Sequence, residues 1–310
     1  MSGPRIVILG EAMLELSGQS GVSALGSSFT LRQGGDTLNT AVYLSRLGHA
    51  PAYLTALGQD PYSEAMIEAW QAEGMKTDLV LRHPVRIPGL YAIETDASGE
   101  RSFQYWRGES AARDMFALPE SDAAIEAAAS ADWLYFSGIT LSILDAAGRG
   151  RLIDLIGTVR ARGGQIVFDP NFRPRGWPDR DEARQLFTAL ARQIDLVLPS
   201  LDDEDLLFGA AEPEAHISRW HEAGTPHVIA KQGAKGGWIS NGETCQAFPV
   251  TPAERVVDTT GAGDSFNAGA LAGLIEGASL DEAARRGGEL ARLVVGHHGA
   301  IMPAEAMPEV

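Results

Sequence analysis

Short apolar runs alternate along this chain with longer segments in which apolar residues recur every three to four positions. The longer segments have the period of amphipathic helices, and the apolar runs have the length of strands that are buried on both faces. The predicted strands cover residues 5–10, 52–57, 133–137, 165–169, 196–199 and 228–231. The clearest helical segments cover residues 37–47, 62–73, 146–162 and 182–192. This alternation predicts an α/β fold with a mostly parallel central sheet flanked by helices on both sides.

One region in the first third of the chain departs from this alternation. Residues 89–95 and 101–107 are strand-like runs joined by Asp96-Ala-Ser-Gly99, a sequence typical of a hairpin turn. Residues 12–17 and 29–32 are also strand-like, and no helical segment lies between them. We interpret these four pieces as a small β-sheet that is separate from the main sheet.

Composition narrows the classes of partner. With 310 residues, 45% of them hydrophobic, the chain can bury a large core. The formal net charge of −16 repels nucleic acid and anionic lipid, and no run of Lys and Arg offsets it, so we expect neither partner. No apolar stretch approaches the ~20 residues that span a bilayer. The single cysteine, Cys245, excludes an internal disulfide and fits a cytoplasmic protein. The last residues, 302–310, look like a loose tail.

The segment Asp258-Thr-Thr-Gly-Ala-Gly-Asp264 carries the clearest chemistry and precedes a stretch of small, helix-forming residues. Gly261, Ala262 and Gly263 would lie at a helix N-terminus, where backbone N–H groups and the helix dipole attract an anion such as a phosphoryl group. Asp264, in the first turn, can orient a hydroxyl and accept its proton, as the base in phosphoryl transfer does. The simpler alternative is a helix-capping carboxylate beside a glycine turn.

Residues 258–270 resemble the C-terminal signature of the ribokinase-like (PfkB) carbohydrate kinases at essentially every defining position. Thr37 departs from the family's N-terminal signature, which usually has a small residue or Pro there. The other positions of that signature are present at the family's spacing: Gly34, Gly35, Asn39, Ala41, Gly48 and Gly58. The resemblance covers nearly the whole chain. It implies a single domain, residues 1–310, with a Rossmann-like central sheet and a discontinuous β-lid at about 12–33 and 89–108.

The same resemblance implies roles for the N-terminal signature. Gly34 and Gly35 would let the backbone approach the sugar at the junction with the lid, and Asn39 would bind sugar hydroxyls. Asp36 is either the N-cap of the following helix or a contact of the sugar, and the sequence leaves both open.

Residues 231–238 resemble the family's Lys-x-Gly-x-x-Gly turn, which implies that Lys231, Gly233 and Gly236 lie near ATP together with Gly261 and Gly263.

The family's Asn-x-x-Glu motif, which organises Mg²⁺-bound water, is altered here. Ser200 stands in the place of the Asn. Asp203 and Glu204 are candidates to reach the metal through water, or they are simply acids at a helix N-terminus. The residue that organises the metal stays open.

Three residues on the predicted hairpin bear on the substrate: Tyr91, Tyr105 and Arg107. Arg173 follows a strand end at Asn171. Two guanidinium groups that converge on one pocket would repel each other unless they share an anion, and a carboxylate suits them. The pattern resembles kinases of 2-keto-3-deoxygluconate, which implies that both arginines bind the acid sugar, both tyrosines contact it, and Asn171 lies near the phosphates. The alternative for the two tyrosines is an ordinary cross-strand aromatic pair. The alternative for Arg173 is that it binds only the transferred phosphate.

The predicted reaction is therefore ATP-dependent phosphorylation of the terminal C6 hydroxyl of an acid sugar, with Mg²⁺. Many relatives also respond to K⁺ near residues 258–260, which leaves a requirement for K⁺ open here. A neutral-sugar kinase (fructokinase or ribokinase) and a catalytically silent sugar sensor are the alternatives. A dinucleotide oxidoreductase is disfavoured, because no GxGxxG turn follows the first strand. The open edges of the lid sheet predict a homo-oligomer, either a dimer or a higher assembly.

Overall fold

This computed structural model describes residues 3–18, 28–95 and 101–308. The described residues contain thirteen β-strands and ten α-helices. The strands are β1 (Ile6–Leu9), β2 (Met13–Ser17), β3 (Thr30–Gly34), β4 (Ala52–Leu57), β5 (Val80–Arg82), β6 (Gly89–Thr95), β7 (Arg101–Trp106), β8 (Trp133–Ser137), β9 (Gln165–Asp169), β10 (Leu196–Val197), β11 (His227–Lys231), β12 (Gly237–Ser240) and β13 (Cys245–Phe248). The α-helices are α1 (Asp36–Arg46), α2 (Pro61–Ala72), α3 (Ser121–Ala128), α4 (Gly138–Ile143), α5 (Ala146–Ala161), α6 (Arg180–Leu190), α7 (Leu201–Phe208), α8 (Pro213–Ala223), α9 (Ala262–Ile275) and α10 (Leu280–Val294).

Nine strands form the main sheet in the order β13-β12-β11-β10-β9-β8-β1-β4-β5. Its pairs are parallel except for β11 with β12 and β12 with β13. The predicted mostly parallel sheet is therefore confirmed, and each of the six predicted strands belongs to it. The edge strands β5 and β13 are not predicted from the pattern, because they are short and each fully buries only one residue, so they lack an apolar run.

The order of the main sheet reverses at β1. This strand pairs with β4 on one side and with β8 on the other, and both pairs are parallel. Ligand sites of open α/β sheets lie beyond the carboxyl ends of the strands at such a reversal point. In this chain the residues that follow β1 run directly into the small sheet, which places that sheet next to the expected site.

The small sheet has the order β3-β2-β6-β7. Strands β2 and β3 are antiparallel, as are β6 and β7, whereas β2 and β6 are parallel. This arrangement confirms the four predicted strand pieces as a separate sheet. The predicted hairpin turn at residues 96–99 lies outside the described residues.

Helix starts follow from local capping. The side chain of Asp60 accepts hydrogen bonds from the backbone N–H groups of Tyr62 and Ser63, which stabilises the first turn of α2. Helix α1 starts differently, because its N-cap is Gly35, with a φ of 137°. Asp36 is the first helical residue, so it is not the N-cap.

Two apolar clusters pack on opposite faces of the main sheet. The aromatic residues Phe136, Phe168 and Phe187 lie in one cluster, and Tyr43 and Trp70 lie in the other. None of the helices in the described ranges combines the length and apolar character needed to cross a membrane.

The second cluster also contains Met302, which is 1% exposed. Its backbone carbonyl accepts a hydrogen bond of 2.6 Å from Arg46, and its N–H donates to the hydroxyl of Tyr43 at 2.9 Å. The prediction of a loose tail is therefore wrong at residue 302, where the chain is anchored to α1.

Candidate active site

The loop before α9 has a tightly constrained backbone. Gly261 is the N-cap of α9 and has a φ of 75°, a left-handed conformation that disfavours any side chain. A Cβ at this position would lie 2.6 Å from the carbonyl oxygen of Ala300. The carboxylate of Asp258 accepts N–H groups of Thr260 and Gly299, at 2.9 and 2.6 Å. The loop is thus held against the C-terminal turn in one shape.

Asp264 lies in the first turn of α9, next to the first turn of α1. The amide group of Asn39 donates a hydrogen bond of 2.7 Å to Oδ2 of Asp264. The hydroxyl of Thr40 donates to the backbone carbonyl of Asp264 at 3.2 Å. Two helix N-termini therefore meet at this carboxylate, and both add positive potential for an anion. Sequence reasoning treated Asn39 as a sugar ligand and missed its contact with the candidate base.

The pKa of Asp264 is raised to about 7. Burial of the carboxylate is the largest cause, the negative charge of Asp36 is the next, and the hydrogen bond from Asn39 opposes both. The residue as a whole nevertheless retains intermediate accessibility, so a hydroxyl can reach it. A carboxylate with a pKa near neutrality is well suited to accept a proton at physiological pH.

A buried polar cluster lies beneath the loop. The ammonium group of Lys231, a residue only 9% exposed, donates to Asp169 at 3.1 Å and to Asn267 at 2.9 Å. The amide group of Asn267 also donates to Asp169, at 2.6 Å, and to the hydroxyl of Tyr135, at 3.0 Å. Lys231 is also close to the loop, because a Cβ on Gly263 would lie 3.9 Å from its ammonium nitrogen. Lys231 therefore connects β9 to α9 beside the loop, and its position near ATP stays a prediction.

Asn171 is the only residue other than glycine with a positive φ, 33°, within the described ranges. Its backbone N–H donates to Asp169 at 3.1 Å, and its amide group donates to Asp36 at 2.8 Å. A strained backbone of this kind persists only where neighbouring contacts hold it in place. Asn171 thus connects the end of β9 to the start of α1, and its position near the phosphates stays a prediction.

Gly233 and Gly236 occupy the turn between β11 and β12, and both have a positive φ. A Cβ on Gly236 would lie 2.1 Å from the carbonyl oxygen of Phe248, so the turn itself requires glycine there. No atom lies within 4 Å of a Cβ built on Gly233, which faces open space. Ser200, the N-cap of α7, forms an isolated bridge with Lys231 and so lies next to the end of β11.

The two candidate metal-organising acids have different surroundings. Asp203 accepts a hydrogen bond of 2.8 Å from Arg173. Glu204 is 1% exposed and accepts hydrogen bonds from Arg219 at 3.1 Å and from the indole of Trp220 at 3.2 Å, while burial raises its pKa to about 8. Glu204 is therefore a core residue that is already bonded to α8. Across the described ranges, no three His, Cys, Asp or Glu side chains come together as a metal-binding group.

The two arginines have carboxylate partners of their own. Arg107 forms an ion pair with Glu11, and Arg173 forms one with Asp203. The sequence-based reason for a shared anion, repulsion between two unpaired guanidinium groups, is therefore wrong. Their assignment as sugar ligands stays a prediction, and it now depends on the hydrogen-bonding capacity that each arginine retains.

The tyrosines lie directly opposite each other on β6 and β7, with ring centroids 5.8 Å apart. Tyr91 is 7% exposed and donates a hydrogen bond of 2.5 Å to Glu15, whereas Tyr105 is 44% exposed. A Cβ on Gly34 would lie 2.2 Å from the hydroxyl of Tyr91. Gly34 thus makes room for Tyr91. The roles of both residues at the sugar stay predictions.

Sequence reasoning missed two acidic residues that the fold brings near the site, Glu11 and Asp169, and it left the role of Asp36 open. Glu11 follows β1, and Asp169 ends β9. Their positions at the carboxyl ends of parallel strands were a usable signal.

Comparison with known proteins agrees with this geometry. Residues 4–307 match the pfkB family of carbohydrate kinases. The chain is 44% identical to the 2-dehydro-3-deoxygluconokinase of Dickeya dadantii (strain 3937), over 99% of this chain and 100% of the relative. It is 30% identical to a fructokinase of Vibrio alginolyticus, over 86% of this chain and 83% of the relative.

The structure of Arabidopsis thaliana ribokinase complexed with ribose and ATP has the same fold, with a TM-score of 0.80, 23% identity, and coverage of 99% of this chain and 96% of the ribokinase. The match to the family spans nearly the entire sequence and includes both Asn39 and Asp264. The chain therefore belongs to the pfkB family of carbohydrate kinases.

Proposed function

We propose that this protein transfers the γ-phosphoryl group of ATP to the terminal C6 hydroxyl of 2-keto-3-deoxygluconate, the compound also called 2-dehydro-3-deoxygluconate. One observation carries the proposal most directly: Asp264, with a pKa near neutrality, lies in the first turn behind the N-cap Gly261 and is oriented by Asn39. This is a base beside a helix N-terminus that can bind an anion, as phosphoryl transfer to an alcohol requires.

Two further observations support the substrate. The relative of 44% identity is a 2-dehydro-3-deoxygluconokinase, whereas the fructokinase shares only 30% identity and a shorter matched region. The face of the small sheet that carries Tyr91 also carries Arg107, whose side chain keeps 24% exposure. A guanidinium group in this position suits an acid sugar better than a neutral one.

The residues divide the chemistry between them. Asp264 accepts the proton of the C6 hydroxyl as its oxygen attacks the γ-phosphorus. The amides at the start of α9 stabilise the negative charge that spreads over the phosphoryl oxygens. The small sheet covers the sugar as a lid and limits the access of water. The contact of Arg175 with the carbonyl of Phe103, at 3.0 Å, supports this placement because it joins the lid to the loop after β9.

Mg²⁺ would travel with ATP, because the described residues hold no group of three acids to bind it alone. Asp203 is the acid suited to contact it through water, since its side chain keeps 13% exposure whereas that of Glu204 keeps 1%. When bound, the ion neutralises phosphate charge.

We further propose that the protein acts in the cytoplasm, as its single, exposed cysteine suggests. We also propose a homo-oligomer formed through the lid. Leu31 and Trp106, exposed by 45% and 60%, lie on the lid face opposite to Tyr91 by strand alternation.

The direct test is a substrate panel with ATP and Mg²⁺. We expect ADP formation with 2-keto-3-deoxygluconate to exceed that with fructose or ribose by at least about 100-fold in kcat/KM, because a site built around charged hydrogen bonds rejects analogues that lack them. Equal or higher kcat/KM with fructose or ribose would favour a neutral-sugar kinase. No ADP formation with any of the three sugars would favour a binding protein.

Arg107→Ala should raise the KM for 2-keto-3-deoxygluconate by about 10- to 100-fold while kcat changes much less, because a charge-assisted hydrogen bond to the substrate is lost in the ground state and the transition state alike. The KM for ATP is the internal control and should stay within about twofold. Steady-state kinetics at saturating ATP measures the effect. An unchanged KM for the sugar acid would remove Arg107 from the site.

The raised pKa of Asp264 predicts the pH dependence of kcat/KM. The base must be ionised, so activity should be present above pH 7 and should fall about tenfold per pH unit below it. Asp36→Asn should move this acidic limb to lower pH, because the negative charge of Asp36 helps to raise the pKa of Asp264. Asp154→Asn, a change at an exposed acid on α5, is the control and should leave the limb in place. An unmoved limb in Asp36→Asn would show that another group controls it.

A further inference from the structure

Glu11 lies two residues beyond the end of β1, at the reversal point of the main sheet. Its side chain is 1% exposed, and its Oε2 accepts a hydrogen bond from Nη2 of Arg107. Within the described ranges, the other oxygen, Oε1 of Glu11, has no hydrogen-bond partner, and neither has Nε of Arg107. A buried ion pair thus keeps one acceptor and one donor unused.

Such unused groups are costly when no ligand is bound. A buried polar atom without a partner destabilises the fold by about 1–3 kcal/mol, and more when the group is charged. Each such group in a native structure therefore calls for an explanation, and a ligand that pairs with it is one.

The space beside Oε1 depends on a glycine. A Cβ on Gly89 would lie 3.0 Å from Oε1 of Glu11 and 3.1 Å from Cβ of Arg107. Any side chain at position 89 would therefore crowd the unused oxygen. Gly89 therefore places no side chain between strand β6 and the unused oxygen.

The pair belongs to the same site as the base. The backbone carbonyl of Glu11 lies 2.4 Å from the position of a Cβ on Gly35, the N-cap of α1. One turn further along α1, Asn39 bonds to Asp264, and its own Oδ1 is buried without a partner within the described ranges. Three polar atoms at the lid junction and on α1 are thus buried without partners among the described residues: Oε1 of Glu11, Nε of Arg107 and Oδ1 of Asn39.

We propose that Glu11 is a specificity-determining residue that accepts a hydrogen bond from a secondary hydroxyl of the acid sugar through Oε1. The adjacent Nε–H of Arg107 donates to the carboxylate or the keto oxygen of the same molecule. The inference rests on the proposed function and adds to it a residue that reads the polyol part of the substrate. A hydroxyl on C4 or C5 is the matching donor, since C6 carries the phosphoryl acceptor.

The test compares 2-keto-3-deoxygluconate with two analogues, one lacking the hydroxyl on C4 and one lacking that on C5. The wild type should disfavour one analogue by about 10- to 100-fold in kcat/KM, the size expected for a hydrogen bond to a charged group. In Glu11→Ala this discrimination should fall to within about threefold, and Glu11→Gln, which keeps a neutral acceptor, should restore part of it. Glu204→Gln is the matched control, because Glu204 is equally buried and also paired with an arginine, and it should keep the full discrimination.

The outcomes separate the inference from the proposed function. An inactive wild type on 2-keto-3-deoxygluconate overturns both. An active wild type whose discrimination is unchanged in both Glu11 variants overturns the inference alone, because Glu11 would then only hold Arg107 in place. If Glu11→Ala fails to fold, as thermal unfolding would reveal, Glu11→Gln decides: a loss of discrimination of at least about threefold supports the inference, and an unchanged ratio overturns it.

Discussion

Asp264→Asn should lower kcat for the sugar acid by about 10²- to 10⁴-fold, while KM for both substrates changes only a few-fold. The amide cannot accept the proton of the attacking hydroxyl, but it has nearly the same shape and can still accept the hydrogen bond from Asn39. Initial-rate kinetics at saturating substrate measures the loss. Asp154→Asn, the same change at an exposed acid on α5, is the control and should keep the wild-type kcat.

The same substitution should change stability in the opposite direction. Folding raises the pKa of Asp264 from its ordinary value to about 7, so the stability of the wild type declines as pH rises from about 4 through 7. An uncharged Asn has no proton to lose, so it does not incur the free-energy cost of burying a charged carboxylate. Asp264→Asn should therefore be more stable than the wild type at pH 8, by roughly 1–3 kcal/mol, with little difference at pH 4. Chemical denaturation at both pH values measures this difference in the free energy of unfolding.

Turnover of the variant within tenfold of the wild type would show that Asp264 is not the base.

Gly261→Ala should destabilise the protein by roughly 2–4 kcal/mol and abolish most activity. The left-handed φ of 75° costs energy for any side chain, and the new methyl group would lie 2.6 Å from the carbonyl oxygen of Ala300. The start of α9 must move to relieve this contact, and Asp264 would move with it. The free energy of unfolding and kcat measure the two effects.

Gly263→Ala is the matched partner of that variant. Among the described residues outside its own helix, a Cβ at Gly263 would meet only the ammonium nitrogen of Lys231, at 3.9 Å, an ordinary contact distance. The fold should therefore keep its stability, or gain a few tenths of a kcal/mol from helix propensity. Turnover should still fall about tenfold or more, because the methyl group would occupy the space through which a phosphoryl group approaches the amides. Wild-type turnover in Gly263→Ala would show that no anion approaches the loop at that residue.

The fold was largely predictable because its strongest signals are local. Strands β1, β4, β8 and β9 are buried along nearly their whole length and appear in the sequence as unbroken apolar runs. Edge strands β5 and β13 were missed, since a strand that buries few residues has no such run. Met302 was misassigned for a related reason: its burial depends on Tyr43 and Arg46, far away in the chain.

The candidate site was predictable in its parts but not in its connections. The glycines and the carboxylate of the loop before α9 form a continuous segment, so their chemistry is apparent from order and spacing alone. Lys231, Asn39 and Arg107 were recognised as polar residues at informative places, yet their contacts in the fold are Asp169, Asp264 and Glu11. Those pairings span 62 to 225 residues of sequence.

Residue order alone therefore determined the layered architecture, the glycine-rich turn before α9 and the proposal of Asp264 as the base, because each depends on hydrophobic period or on neighbouring residues. Folding decided the raised pKa of Asp264, the carboxylate partners of both arginines and the buried polar atoms left without partners among the described residues. These depend on burial and on electrostatic distance between segments that are remote in the chain, and the strength of both effects is set only when the sheet and its helices come together.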